Sequence, residues 1–457
     1  MTIAYRPRLK TAVAAIAIAA QLGALAAPAA AFCGFYVAKA DSKLFNKASK
    51  VVLAWDDGTA AVTMASDYQG DPREFAVVIP VPTFIERKQI GIVDMPVIDH
   101  LDAFTAPRLV EYFDRDPCAP MIVYKESMRA ATAAPTSTSV TNLTKSHGVT
   151  VEASYDVGEY DVSILSATES DGLVQWLTEN GYRIPDGAAP VIGSYIKQHM
   201  HFFIAKVNLA RMALEGHAYL RPLQVRYKTA KFMLPIRLGT VNAEGSQDLV
   251  IFALSKKGRV ETVNYRTSKL PSGMDVPLYV KDEFGPFYTA MFDRAVERED
   301  RRAVFLEYAW DMGWCDPCAA DPMSNKELVD LGARWIGSDE ATPFRGGNAF
   351  VTRLHVRYDA AHFPEDLAFM ETRDRSNFQG RYVLRHPWAG PANCTAGDDY
   401  WNSLPQRFAK EADQLADLTG WQEASIHARM EETGQSFASK ASGVDWFFER
   451  WFLRGGR

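Results

Sequence analysis

Apolar residues in this chain fall mostly in short runs or in strict alternation, the patterns that make strands rather than long amphipathic helices. Val51 to Trp55, the Asp56-Asp57-Gly58-Thr59 turn and Ala60 to Tyr68 read as strand, hairpin and strand, because an Asp-Gly step accepts the positive φ of a tight hairpin. Phe75 to Val81 is another apolar strand, which Pro80 and Pro82 bring to an end. Further strands are expected at Met121 to Tyr124, Val149 to Leu165, Met200 to Val207, Leu223 to Tyr227, Phe232 to Leu238 and Leu249 to Leu254. Val260 to Tyr265, Ala303 to Trp310, Ala349 to Tyr358 and Arg381 to Arg385 complete the set. Helical spacing is rarer. Ser170 is placed to cap a helix with Leu173, Val174, Trp176 and Leu177 on one face and Gly181 as its stop, and Asp186 to cap a short one carrying Ile192, Tyr195 and Ile196. Phe287 to Glu297 and Asn325 to Leu331 also read as helices. So does a tail from about Leu404 to Phe452, whose Trp421, Trp446, Phe447 and Trp451 give it enough apolar mass to dock on the body.

These elements predict a strand-rich α+β protein with mixed β-sheet modules and a C-terminal helical segment. The expected divisions are a signal peptide over 1–31, an N-terminal β module over 32–128, a linker or loop over 129–148, a central α+β module over 149–395 and a helical cap over 396–457. Within 129–148 the residues are largely Ala, Thr, Ser and Pro without periodicity. A faint echo links Tyr68…Phe75, Tyr227…Phe232 and Tyr358…Phe363, each followed by Pro, but its spacing drifts, so it suggests two related β sheets at best. Exposed strand edges in such sheets can recruit extended segments of partners.

The first thirty-odd residues change the picture of where the chain works. Arg6, Arg8 and Lys10 precede a run from Thr11 to Ala27 that is nearly all Ala, Ile, Leu and Val, and Pro28-Ala29-Ala30-Ala31 supplies the small residues a signal peptidase accepts. This is the pattern of a secretory leader, cut after Ala31, and the Ala-rich character argues against a retained anchor. Phe32 stands before Cys33 where lipoprotein processing needs a small residue, which argues against lipidation. A periplasmic or secreted location follows. Removing the leader takes three positive charges with it, so 50 basic against 56 acidic residues becomes 47 against 56, a net of −9. Nucleic acid and anionic membrane surfaces are therefore poor partners. No second apolar run is long enough to span a bilayer. With 47% hydrophobic and 12% aromatic residues, the mature chain can bury more than one core.

Several blocks carry a family resemblance. They are CGFY from Cys33, YQGDPREFAVVIPVP from Tyr68, TAPRLVEYFDRDPC ending at Cys118, VGEYDVSILSATESDGLVQWLTENGYRIP, LRPLQVRYKTAKFMLPIRL, EYAWDMGWCDPCAADP and RYVLRHPW. Together they resemble the bacterial domain-of-unknown-function family 2330, over most of the mature chain up to about Trp388. The resemblance implies an exported protein and brings no activity with it. His199 and His201 stand where an aromatic or aliphatic residue is expected in similar chains.

Candidate chemistry is sparse. Five cysteines in an oxidising compartment suggest two bridges and a leftover thiol, from among Cys33, Cys118, Cys315, Cys318 and Cys394. Cys33 and Cys118 form the natural pair within the N-terminal module. Trp314-Cys315-Asp316-Pro317-Cys318 after a strand is similar to the local pattern of thioredoxins, so Cys315 and Cys318 are redox candidates. Pro322 falls where the following helix should continue and no βαβ unit precedes the strand, while Thr342-Pro343 could mimic the flanking proline loop at a short spacing. A structural bridge, as a local clamp or a pairing with Cys394, suits that context better.

His199 and His201, two apart on an expected strand, would share a face and could grip a divalent metal with a third ligand such as His355, His362 or His386. No other cofactor is implied. Asp56-Asp57, Asp398-Asp399 and Asp114/Asp116 could act as paired acids, but each sits on a polar or turn-like stretch where Asp is favoured for turn formation alone. There is no G-x-S-x-G elbow, Walker loop, G-x-G-x-x-G or H-E-x-x-H. Without a complete catalytic constellation, the expectation is a binding or structural component of the bacterial envelope, partnered by an envelope protein or ligand. The alternatives are a thiol–disulfide oxidoreductase through WCDPC and a histidine-based metal-binding protein.

Overall fold

The computed structural model describes residues 35–38, 45–69, 75–119, 150–180, 184, 187–215, 220–241, 243, 245–313, 321–336 and 349–438. The leader, Cys33, the expected strand at Met121 to Tyr124, the 129–148 segment, Gly181, Asp186, the Trp314-to-Cys318 motif, Thr342-Pro343 and the tail with Trp446, Phe447 and Trp451 lie outside the described residues.

The strands are β1 (Phe35–Ala38), β2 (Phe45–Asp56), β3 (Thr59–Gln69), β4 (Phe75–Val81), β5 (Ile90–Ile92), β6 (Arg108–Phe113), β7 (Thr150–Val157), β8 (Tyr160–Ser166), β9 (His201–Val207) and β10 (Leu223–Lys228). They continue as β11 (Met233–Leu234), β12 (Gln247–Ser255), β13 (Val260–Thr262), β14 (Arg266–Lys269), β15 (Met274–Val276), β16 (Ala303–Asp311), β17 (Phe350–Tyr358), β18 (Leu367–Glu371), β19 (Phe378–Gln379) and β20 (Arg381–His386). The helices are α1 (Met95–Thr105), α2 (Ser170–Glu179), α3 (Ala188–Ile196), α4 (Leu209–Glu215), α5 (Arg237–Val241), α6 (Phe284–Arg298), α7 (Asn325–Asp330), α8 (Thr395–Thr419) and α9 (Glu423–Glu432). The fold is α+β, as the pattern predicts. None of the described helices is long and apolar enough to cross a membrane.

An antiparallel sheet of five strands, β1-β4-β9-β8-β7, faces a mixed sheet ordered β14-β16-β17-β12-β2-β3-β10-β5, with β19 added beside β16. Period-2 alternation explains the layering. Val51 and Leu53 of β2 and Phe203 and Ala205 of β9 point into the core between these two sheets, while Val52 and Ala54 point the other way. Phe202 and Ile204 turn to the outer face of the five-stranded sheet, where Leu173 and Leu177 of α2 and Ile192 and Tyr195 of α3 cover them. On the outer face of the larger sheet lie two separate apolar pads. One is built on α1 and α7 (Ile98, Leu101, Phe104, Leu328), the other on α6, α8 and α9 (Phe287, Phe292, Leu415, Met430). The result is four layers, helix on sheet on sheet on helix. The expected division between residues 32–128 and 149–395 does not separate sheets, because β2 and β3 are hydrogen-bonded between β12 and β10.

Several expectations differ from the structure in detail. Thr150 to Ser166, over the expected strand, is a hairpin and not one strand, turned at Gly158 with φ +52°. Ser170 is the first residue of its helix, after an extended Glu169. Phe232 to Leu238 holds only the two-residue β11 before α5 begins. Pro235 removes an amide there, and the Asp366 carboxylate accepts from the Ile236 and Arg237 amides at 2.9 and 3.2 Å, capping α5 from 129 or more residues away. The expected strand from Val260 to Tyr265 ends at Thr262. The C-terminal helix starts earlier than Leu404 and runs through Pro405, while α1 and β6 carry no pattern clear enough to predict them.

Candidate functional site

The chemistry-bearing residues that meet in the fold lie on the outer face of β17. In Thr352-Arg353-Leu354-His355-Val356-Arg357-Tyr358, Leu354, Val356 and Tyr358 enter the inter-sheet core, so Arg353, His355 and Arg357 share the opposite face. That face forms the seam between the two apolar pads. Four carboxylates converge on it: Asp102 from α1, Glu307 from β16, Asp248 from β12 and Asp293 from α6.

Glu307 reaches this face through a β-bulge. Phe305 pairs with His355 and Leu306 with Leu354, but Tyr308 pairs with Arg353, leaving Glu307 as the extra residue. The bulge switches the parity of β16: Val304 and Leu306 before it and Ala309 after it all face the inter-sheet core. Glu307 is fully buried. Its Oε2 accepts from Arg353 Nε at 2.5 Å, and its Oε1 from His355 Nδ1 at 2.8 Å and from the Tyr288 hydroxyl. His355 Nε2 lies 3.6 Å from Asp248 Oδ1, and Asp248 takes a two-pronged grip from Arg357 at 2.8 and 2.9 Å. Arg357 also binds Asp293, Arg353 Nη1 binds Asp102 at 2.5 Å, and Lys50 Nζ closes the row on Asp102 at 2.6 Å. Phe292 stacks on the His355 ring, centroids 3.8 Å apart and planes 7° apart, and sits under the Arg357 guanidinium.

The electrostatics follow from this geometry. Burial pushes the Glu307 carboxyl up, but the Arg353 guanidinium and the His355 ring beside it more than reverse that and bring it to about 2. Asp248 is likewise brought to about 2, its burial outweighed by His355 and Arg357. Burial lowers His355, yet Glu307 and Asp248 raise it more, and the net shift is upward. Burial and the adjacent Glu307 push Tyr288 well above the usual phenol value. Acids on both sides of the ring, Glu307 hydrogen-bonded at Nδ1 and Asp248 3.6 Å from Nε2, favour the protonated imidazole, which then joins Lys50, Arg353 and Arg357 in facing four carboxylates. A general base needs a free nitrogen or carboxylate, and Glu307, Asp248 and the His355 ring each already face a charged partner. The arrangement is suited to holding charge and poorly suited to moving protons.

The residues singled out from the sequence lie elsewhere, with one exception. His199 stands in a turn before β9 with φ +60°, so it does not share a strand face with His201. His201 opens β9, with Nε2 3.6 Å from Glu152 and burial lowering its pKa. His362 bonds Asp359 at 2.8 Å, and His386 bonds Glu111 at 2.8 Å while stacking on the exposed Phe113. Only His355, considered as a possible third metal ligand, belongs to the buried row. No group of three or more His, Cys, Asp or Glu set to hold a metal ion occurs among the described residues. Asp56 and Asp57 pair with Lys256 and Lys257 at 2.5 and 2.9 Å across the hairpin turn, where Asp57 and Gly58 have φ +39° and +85°. Asp116 accepts from the Cys118 amide at 2.8 Å, and Asp398 and Asp399 lie exposed at the start of α8.

Cys118 is bonded to Cys394, 276 residues away, and not to Cys33, its expected partner within the N-terminal module. The bridge ties the end of β6 to the start of α8, and Asp114 reinforces it by accepting from Tyr400 at 2.7 Å and from Arg407 at 2.5 Å, both on α8. Deeper along α8, Glu411 is 1% exposed, accepts from Gln435 at 2.7 Å, and lies 3.5 Å from an Arg407 already committed to Asp114. Burial therefore prevails over Arg407 and pushes Glu411 up to about 7.

The β17 row was missed as a unit, although an Arg-x-His-x-Arg alternation inside an apolar strand and a lone Glu in Val304-Phe305-Leu306-Glu307-Tyr308-Ala309 are visible signals. Charges at core-facing positions demand partners. A family model described as an uncharacterized protein conserved in bacteria, DUF2330, matches residues 27–370. No match was found among curated proteins or among solved structures.

Proposed function

We propose that this chain, which belongs to the DUF2330 family, is exported and serves the bacterial envelope as a binding or structural protein rather than as an enzyme. The observation that carries the reading is the β17 row. The most acid–base-capable group among the described residues is Glu307, Arg353 and His355, buried beneath α6, with the half-buried Tyr288 that α6 itself contributes, and it is committed to internal partners. It cross-links β12, β16, β17, α1 and α6, which is the work of an interlock. Export is supported by the leader pattern of residues 1–31 and by the Cys118–Cys394 bridge, a bond that persists in oxidising compartments.

Two measurements on the full chain expressed in a bacterium test the two halves of this reading. The protein is expected outside the cytoplasm, with an intact mass that begins at Phe32. Retention in the cytoplasm with residues 1–31 attached would rule out the export reading. Catalytic groups are commonly held at a cost in stability, so that replacing them stabilises the fold, whereas replacing an interlock destabilises it. Glu307→Gln is therefore expected to lower the melting temperature, and an increase would argue for a catalytic role.

A further inference from the structure

The Cys118–Cys394 bridge is asymmetric. Cys118 is exposed at the end of the β6 segment, while Cys394 is half-buried. Cys394 is also the N-cap of the 25-residue α8, and its Sγ accepts from the Gly397 amide at 3.3 Å. An anionic sulfur there is stabilised by that donor and by the positive end of the helix. Gly397 packs so closely on the Ala392 carbonyl that a Cβ would strike it, and its amide is shared between the Cys394 carbonyl at 2.8 Å and the sulfur. At the other end, the Cys118 amide donates to the Asp116 carboxylate, so a thiolate on Cys118 would form beside a negative charge. The exposed Asp398 in the first turn of α8 opposes the Cys394 thiolate only through solvent, where screening weakens it.

The strands and helix joined by the bond do not depend on it alone. Asp114 remains bonded to Tyr400 and Arg407, the Trp388 amide donates to the Tyr400 hydroxyl at 2.7 Å, and Phe408, Ala412 and Leu415 of α8 stay in their core. The covalent link can therefore open while α8 stays docked.

We propose that Cys118–Cys394 is a thiol–disulfide exchange site, in which Cys118 Sγ is attacked and Cys394 is released. A low-molecular-weight thiolate bonds to Cys118 Sγ, the bond between the two cysteine sulfurs breaks, and its electron pair leaves on Cys394 Sγ as the helix-stabilised thiolate. A second thiol of the same class attacks the mixed disulfide at its own sulfur, freeing Cys118, which takes a proton from water. Overall the bridge gains two electrons and two small thiols become one disulfide. The site is separate from the Trp314-to-Cys318 motif.

The full mature chain, kept folded in a glutathione buffer, quenched with acid, alkylated and mapped at all five cysteines by mass spectrometry, tests this directly. Early samples are expected to carry glutathione on Cys118 and alkyl label on Cys394, with the circular dichroism of the folded protein retained. Glutathione mainly on Cys394, or a bridge that opens only when denaturant unfolds the chain, overturns the proposal. In a Cys118→Ser variant, the alkylation rate of Cys394 should reach half its maximum at least one pH unit below the ~8.5 of an ordinary thiol. A midpoint at or above that value overturns it equally. If the variant does not fold, the labelling of the unaltered chain remains decisive.

Discussion

Glu307 and His355 meet at 2.8 Å although 48 residues separate them, because β16 carries one residue too many opposite β17. The bulge aims the Glu307 carboxylate between Arg353 and His355 while leaving Leu306 and Ala309 in the inter-sheet core. A regular strand would keep strict alternation across this stretch, and the residues on its two sides could not all face the layers that now bury them. The contact thus belongs to the register of two strands.

Glu307→Gln keeps the shape of the side chain but leaves two buried cations facing a neutral amide. Breaking one side of a buried ion pair costs about 3–5 kcal/mol, and the same loss is expected here in urea unfolding. A loss below about 1 kcal/mol would mean that Arg353 is adequately served by Asp102 alone.

Stability should fall on both sides of neutrality. Glu307 and Asp248 have folded values near 2, below their ordinary ones, so the unfolded chain binds more protons and stability drains as pH falls from about 4.5 towards 2. His355 is raised, so its contribution is complete below about 6.5 and is lost as pH rises through its higher folded value. Unfolding free energies measured across pH should show both limbs, and His355→Gln should flatten the alkaline one. An alkaline limb unchanged in that variant would remove His355 as its source.

Glu411 has the opposite sign for a carboxyl. Its folded value of about 7 lies above the ordinary one, so ionising it costs stability as pH rises from about 4.5 to 7. Glu411→Gln should stabilise the protein by about 1–3 kcal/mol at pH 8 and by nothing at pH 4. Thermal melts at the two pH values separate this from a general packing effect, which would be the same at both.

Replacing both Cys118 and Cys394 by Ser should lower stability by about 2–4 kcal/mol, since a link between residues 276 apart restricts the unfolded chain strongly. The folded far-ultraviolet spectrum should persist, because the Asp114 contacts with Tyr400 and Arg407 remain. A change in stability under about 0.5 kcal/mol would show that the bridge contributes little beyond those contacts.

Local pattern in the sequence by itself determined the strands whose side chains alternate or run apolar, namely β2, β3, β4, β12, β16 and β17, together with the Asp57-Gly58 hairpin and the stretch that becomes α6. Periodicity and turn chemistry are properties of neighbouring residues, so they can be read without knowing what an element packs against. Strand order, the seam between the two apolar pads, the cap that Asp366 gives to α5, the Cys118–Cys394 pairing and the four-to-four charge row were decided by tertiary structure alone. Each joins residues far apart in the chain. Whether a charge at a core-facing position is a ligand, a catalyst or a clamp depends on what the rest of the fold brings to it, and here the fold brings Glu307 and Asp248 to His355, one at each ring nitrogen.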